Sequence, residues 1–246
     1  FKSSGTTSGN KSKNYIYKLS LYNKTLIKNF EYFFGDLTRY TFVGVCDEYN
    51  KNKNSSLLYM INHLIIKSKN NLSTFYKNNF NIIDNIISKS KKNNLQPILF
   101  GTSDLLMQLA QKNKKYKDCI IIETGGVKGL KKEITKDEMY DIFEKKIQPK
   151  FIYSEYGMAE LMSQAYAFEK NKFKTPPWMK IKIRNINNPF EILKNKKIGG
   201  INIIDLTNYN TCSFIQTDDI GKKTDNTFEI FGRYDNSMAR GCSMLT

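Results

Sequence analysis

The chain opens on a stretch suited to holding an anion. Phe1 to Lys13 reads FKSSGTTSGNKSK, with Ser3, Ser4, Thr6 and Thr7 around Gly5, then Gly9, then the cations Lys11 and Lys13. Glycines let the backbone approach a polyanion, hydroxyls and amide hydrogens supply neutral donors, and a lysine adds a point charge. That combination fits phosphate groups. The run lacks the G-K-[ST] closure of a Walker loop, and by composition alone it equally suits an open loop. Three further polar clusters follow: SEYGMAE at Ser154 to Glu160, QTDDIG at Gln216 to Gly221 and GRYD at Gly232 to Asp235. They are expected at strand ends or turns, where α/β sheets gather ligands. Taken singly, Asp218-Asp219 also reads as a solvated turn, Glu160 as a carboxylate at a helix N-terminus and Arg233 as a surface ion pair.

An alternation of strands and helices must position these clusters. Leu21 to Phe34 puts Leu21, Leu26, Ile27, Phe30 and Phe34 at helical spacing, behind a Tyr15 to Leu19 segment that suits a short strand or a helix entry. Helices are predicted at Ser55 to Lys67 with Ser55 as N-cap, Phe80 to Lys92 with Ile82, Ile83, Ile86 and Ile87 on one face, and Thr102 to Lys112. Another follows at Thr135 to Lys146, behind the capping pattern Thr135-x-x-Glu138. Arg39 to Cys46, Pro97 to Gly101, Cys119 to Glu123 and Phe151 to Tyr153 read as strands, with a glycine-rich turn at Gly125, Gly126 and Gly129. This predicts an α/β class, a largely parallel sheet with flanking helices over residues 1–177. From Trp178 the chain turns β-rich, at Met179 to Arg184, Gly200 to Leu206, Cys212 to Thr217 and Phe228 to Phe231. Residues 178–246 are therefore expected to form a smaller β-rich subdomain, an antiparallel sheet or small barrel packed on the first part.

The 246 residues are 40% hydrophobic, which suffices for a sizeable core. No apolar run approaches the ~20 residues that cross a bilayer. The formal charge of +16 comes from lysines spread along the chain, clustered only at Lys89 to Lys92 and Lys112 to Lys117. Such a pattern attracts polyanions non-specifically without specifying a nucleic-acid site. The four cysteines form no CxxC and, with the single His63, make a zinc site unfavourable. Reduced thiols and a cytoplasmic setting are expected. Cys46, Cys119 and Cys212 read as small core residues, His63 as structural and Trp178 as a packing anchor. Cys242 follows Arg240 and Gly241, and a neighbouring cation favours its thiolate. The chain begins on Phe1, already inside a motif, and reads as lacking its true N-terminus.

In their order, the four clusters resemble the signature motifs of the adenylate-forming superfamily of acyl and aryl ligases: [ST]-[SG]-G-T-[ST]-G ending in Lys, YGxTE, TGD and GRxDD. Any one is weak; four in sequence are specific, and they span the chain. ETGG at Glu123 to Gly126, SEYGMAEL at Ser154 to Leu161, PPWMK at Pro176 to Lys180 and RGC at Arg240 to Cys242 are similar to the acyl-protein synthetase branch. That branch resembles phenylacetate–CoA ligases in turn.

The resemblance implies the fold of the large N-terminal domain of those enzymes and two steps. A carboxylic acid, fatty in this branch, would displace pyrophosphate from ATP to give an acyl-adenylate, and a protein thiol would take the acyl group. Ser4, Gly5, Thr6, Thr7 and Lys13 would wrap the phosphates, and Glu160 would help hold Mg²⁺. Tyr156 and Gly157, with Gly125 and Gly126, would line the nucleotide. Asp219 would accept both ribose hydroxyls, Arg233 would lie near ribose and phosphate, and Asp235 would sit at the hinge between half-reactions. Cys242 would carry the acyl group towards a partner protein or reductase. The chain departs from the pattern at Ser8, Lys11, Ala159 and Asp218. Ala159 replaces a threonine, and losing one donor to a developing charge costs roughly 3 kcal/mol. Two other readings stay open: an acyl-CoA ligase, for which no C-terminal lid with a catalytic lysine is evident, and a non-catalytic nucleotide-binding relative.

Overall fold

The parallel half is built from runs that are apolar on both faces. In the computed structural model, which describes residues 1–2, 12–76, 79–125 and 134–234, α1 (Leu19–Phe34) precedes β1 (Tyr40–Val45), α2 (Ser56–Lys67) and β2 (Thr74–Phe75). Then come α3 (Asn81–Lys92), β3 (Gln96–Thr102), α4 (Ser103–Gln111), β4 (Ile120–Thr124), α5 (Lys136–Lys146) and β5 (Phe151–Tyr156). The strands pair in parallel in the order β2-β1-β3-β4-β5. Successive strand residues point to opposite faces. Phe42, Ile98, Phe100 and Ile122 therefore pack with Leu26, Phe30, Ile61 and Leu64 of α1 and α2. Their neighbours Val43, Leu99 and Ile121 pack with Ile83, Leu109 and Phe143 of α3, α4 and α5. Ser55 caps α2 by accepting from the Leu58 N–H, and Thr135 with Glu138 forms the expected capping box of α5. Of the two alternatives for Tyr15 to Leu19, no strand forms; the segment leads into the helix, which begins at Leu19 with Lys18 as its N-cap.

The antiparallel half adds β6 (Ala165–Glu169), β7 (Lys172–Lys174), β8 (Met179–Arg184), β9 (Ile198–Asp205), β10 (Phe214–Lys223) and β11 (Phe228–Arg233). β5 pairs antiparallel with β6 through Ser154↔Ala167, so the change of direction falls before Trp178. β6 and β7 are too short and too flanked by lysine and glutamate to show a strand pattern. β11 then pairs with β7 at Phe228↔Phe173, and the order continues β6-β7-β11-β10-β9-β8. The β-rich segment thus lengthens one sheet of eleven strands instead of packing on it as a separate sheet or barrel. Phe173, Ile181, Ile183, Ile201, Ile203 and Phe228 form its core.

Two local expectations are corrected. The QTDDIG cluster lies inside β10 and not in a turn. Cys212 is exposed, ahead of β10, whereas Cys46 and Cys119 are buried as read. The lysine clusters before β3 and β4 sit at the strands' N-terminal ends, while Gly125 and the SEYGMAE segment follow C-terminal ends. The lysine clusters and the candidate site therefore lie at opposite poles of the parallel half.

Candidate functional site

The residues on either side of the Ser3 to Lys11 stretch meet each other. Lys2 and Lys13 form an antiparallel bridge, the Phe1 ammonium donates to the Asn14 carbonyl at 2.6 Å and the Asn14 N–H returns to the Phe1 carbonyl at 2.9 Å. The Phe1 ring anchors this neck between Tyr22 of α1 and Tyr59 of α2. The neck lies against the segment after β5: Asn14 Nδ2 donates to the Ala159 carbonyl at 2.8 Å, and Ser12 Oγ donates to Glu160 Oε1. Glu160 is half-buried and Lys13 exposed. Ser4, Gly5, Thr6 and Thr7 lie outside the described residues, as do Gly126, Asp235 and Cys242.

A second cluster centres on Asp219. Its side chain is 10% exposed, accepts from the Tyr156 hydroxyl at 2.7 Å and pairs with Arg233 Nε at 3.3 Å. Burial first, then the Asp219 charge, pushes the Tyr156 phenol well above its ordinary range, so it stays a donor. Strand alternation presents this carboxylate: along β10 Thr217, Asp219 and Gly221 are buried, and Asp218 between them is exposed. Against β9, Gln216 faces Asn202 and Ile220 faces Gly200, leaving Thr217, Asp218 and Asp219 opposite Ile201 alone, a bulge through which the alternation carries.

Two buried carboxylates stand where β4 and β5 end. Glu155 accepts from Thr124 Oγ1, next to Gly125. Burial, reinforced by Glu123, raises its carboxyl from the usual 4.5 to about 7. A Cβ at residue 157 would collide with Glu155 Oε1, so Gly157 leaves room for the Glu155 carboxyl group. Glu123 accepts from Ser103 Oγ at 2.8 Å and from Ser154 Oγ, and pairs with Lys136 at 2.9 Å. Because Glu123 precedes Gly125 and Lys136 opens α5, their ion pair ties together the two ends of the glycine-rich segment.

The stretch after Glu160 is clamped from β9. Asp205 accepts from the Met162 and Ser163 amides at 3.0 and 2.9 Å and from Ser163 Oγ at 2.8 Å. Trp178 Nε1 donates to the same Ser163 hydroxyl at 3.0 Å. Buried Asn208 bridges the carbonyls of Glu160 and Cys212 at 2.9 and 2.8 Å.

Of the sequence-predicted residues, the structure therefore joins Tyr156, Asp219 and Arg233 directly, and joins Glu160 to the residue preceding Lys13. Both clusters hang on one short segment, 156–160. Sequence reasoning missed Ser12, Asn14, Glu155, Asp205 and Asn208. Glu155 stood inside a quoted motif, and Asn14 directly follows the loop lysine. Asp205 and Asn208 had only an apolar strand ending in DLTN to mark them. The donor set suits a nucleotide with a hard cation: Asp219 has two of about four lone-pair sites taken, which leaves room for a diol. Among the described residues no cluster of three or more His, Cys, Asp or Glu could hold a metal unaided. Glu160 suits Mg²⁺ only alongside phosphate oxygens, which is how that ion is usually held.

No family model matches this chain, and no curated protein does. Solved structures do. ATP-bound MatB from Rhodopseudomonas palustris superposes over 94% of this chain and 47% of its own, with a TM-score of 0.68 and 15% identity. The luciferase-like enzyme of the mealworm Zophobas morio covers 96% of this chain and 57% of its own, at TM-score 0.66 and 16% identity. A long-chain-fatty-acid-CoA ligase from Archaeoglobus fulgidus covers 91% and 50%, at 0.62 and 10%. At such identities the likeness establishes the fold. The chain spans about half the length of these proteins.

Proposed function

We propose that this chain is the nucleotide-binding part of an ATP-dependent acid–thiol ligase. It would activate a carboxylic acid, fatty by the sequence resemblance, as an acyl-adenylate for transfer to a protein thiol. One observation carries the reading. Tyr156 and Arg233, from two motifs far apart in the chain, meet on the single carboxylate of Asp219. In this reading the nucleotide lies where residues 1–177 and 178–246 adjoin. Asp219 accepts the ribose hydroxyls, Arg233 balances its charge beside the phosphates, and Tyr156 and Gly157 with Gly125 and Gly126 border the base. Ser4, Gly5, Thr6, Thr7 and Lys13 hold the phosphates, and Glu160 holds Mg²⁺, which would supply charge neutralisation. Asp235 is the hinge. A protein of this kind would work in the cytoplasm beside an acyl-accepting partner.

The test is exchange of labelled pyrophosphate into ATP by the full-length protein, across a panel of carboxylic acids. Exchange that depends on the acid supports the reading; ATP binding without exchange under any acid leaves a non-catalytic relative. For the acceptor, mass spectrometry after incubation with ATP, Mg²⁺ and a labelled fatty acid should find hydroxylamine-labile label on Cys242, absent in Cys242→Ser. A second reading, coenzyme A as acceptor, is favoured by the likeness to CoA ligases. It predicts acyl-CoA formation by wild type and Cys242→Ser alike.

A further inference from the structure

Arg184 is a buried arginine whose hydrogen-bond partners are uncharged oxygens. Nη1 donates to the Ile201 carbonyl at 3.0 Å and to Asn202 Oδ1 at 2.9 Å, and Nη2 donates to the Thr217 carbonyl at 2.8 Å. Burying a guanidinium is costly, so its surroundings should explain it. The guanidinium lies over Gly200: a Cβ there would fall on Cζ and both Nη atoms. The pair Gly199–Gly200, near the start of β9, is otherwise unfavourable within a strand. What Arg184 reaches is the break in the ladder. Three residues of β10 oppose Ile201 alone, and a bulge takes backbone groups out of their regular pairing. The Thr217 carbonyl is the one Arg184 holds. From there a chain of bonds runs to the candidate site. Thr217 Oγ1 donates to the Ile201 carbonyl at 2.8 Å and accepts the Asp219 N–H at 3.1 Å.

From this we infer that Arg184, seated over Gly200, is the positioning residue of the Asp219 carboxylate, fixing the β10 bulge through the Thr217 carbonyl and so the Asp219 backbone that Thr217 holds. It touches no nucleotide itself. Its planar fork bridges carbonyls of two strands at once, which an ammonium on a flexible stem does poorly. The inference names a specificity determinant of the proposed nucleotide site, and its functional arm rests on that reading. Its structural arm does not.

The experiment uses the full chain, Arg184→Lys, and Gly200→Ala, which displaces the guanidinium without altering it. Backbone hydrogen exchange is followed first. In both variants the amides of 217–220 should exchange faster by about tenfold or more, the worth of one hydrogen bond to a charged group, while β8 away from Arg184 and the parallel half keep wild-type rates. Unchanged exchange at 217–220 overturns the inference whatever the protein binds, and so does uniform acceleration across the chain. Binding of ATP and of 2′,3′-dideoxy-ATP is then titrated. Wild type should prefer ATP by about tenfold, and Arg184→Lys should bind the two nearly equally while retaining its affinity for the dideoxy form. A variant that loses both ligands in proportion contradicts the positioning role. A wild type that binds neither contradicts the nucleotide reading, and the exchange data alone then decide the role of Arg184.

Discussion

The two halves of the sheet hold their functional segments by different buried charges: carboxylates in the parallel half, a carboxylate and a guanidinium in the antiparallel half. In the parallel half the fixed points are carboxylates, Glu123 and Glu155, which accept from Ser103, Ser154 and Thr124. In the antiparallel half Asp205 accepts from the Met162 and Ser163 amides, and beside Asp219 a guanidinium, Arg184, donates to Ile201 and Thr217. What each strand arrangement leaves over accounts for the difference. Around the C-terminal ends of β3, β4 and β5 stand the hydroxyls of Ser103, Thr124 and Ser154, donors that require an acceptor. The bulge in β10 leaves backbone carbonyls, which require a donor. The difference has a consequence for pH. A guanidinium stays charged throughout the accessible range, whereas burial raises the Glu155 carboxyl to about 7.

The largest effect should come from that contrast. Glu155 is raised to about 7 in the fold against an ordinary 4.5. Its contribution is thus fully present below the ordinary value and is lost as pH rises through about 7. The displacement corresponds to about 3 kcal/mol. Urea unfolding of wild type and Glu155→Gln at pH 4.5 and pH 8 should show wild type losing more stability on going to pH 8, by up to that amount. Parallel pH profiles would break the comparison, because the parallel half would then be no more titratable than the other.

Next comes the pair of aspartates that strand alternation separates. Asp219→Ala should weaken ATP binding by about 2 kcal/mol, the worth of a hydrogen bond to a charged group. Asp218→Ala, at an exposed position, should change it by less than about 0.5 kcal/mol. Calorimetric titration measures both, and equal losses would remove the basis for distinguishing them. Asn208→Ala unties the carbonyls of Glu160 and Cys212 and should lower stability by about 1.5 kcal/mol, read from the urea midpoint. Smallest is Thr135→Ala, which removes the capping box of α5 at about 1 kcal/mol. Thermal unfolding should detect it without any change in nucleotide affinity.

The parallel half was legible because its strands are buried on both faces. FVGV, ILF and III announce themselves without any knowledge of partners, and Ser55 and Thr135 carry their capping signals in adjacent residues. The antiparallel half was less so. β6 and β7 are short, and β7 holds its place by one buried residue, Phe173, between two exposed lysines. The site divides the same way. Tyr156, Glu160, Asp219 and Arg233 were marked by short motifs that need only local sequence. Arg184, Glu155 and Asn208 matter through residues far away in the chain, and no local pattern encodes a guanidinium beneath a glycine of the next strand. A charged residue ending an apolar strand, followed later by a glycine pair in a strand, was the one signal present.

The account stands or falls on where a ribose sits. The direct measurement is a crystal structure of the full-length protein with a non-hydrolysable ATP analogue. The account predicts the ribose hydroxyls within hydrogen-bond distance of Asp219, at about 2.5–3.2 Å, with the triphosphate running towards Glu160 and Lys13. A nucleotide whose ribose lies on Asp218, or away from the 156–160 segment altogether, would contradict it.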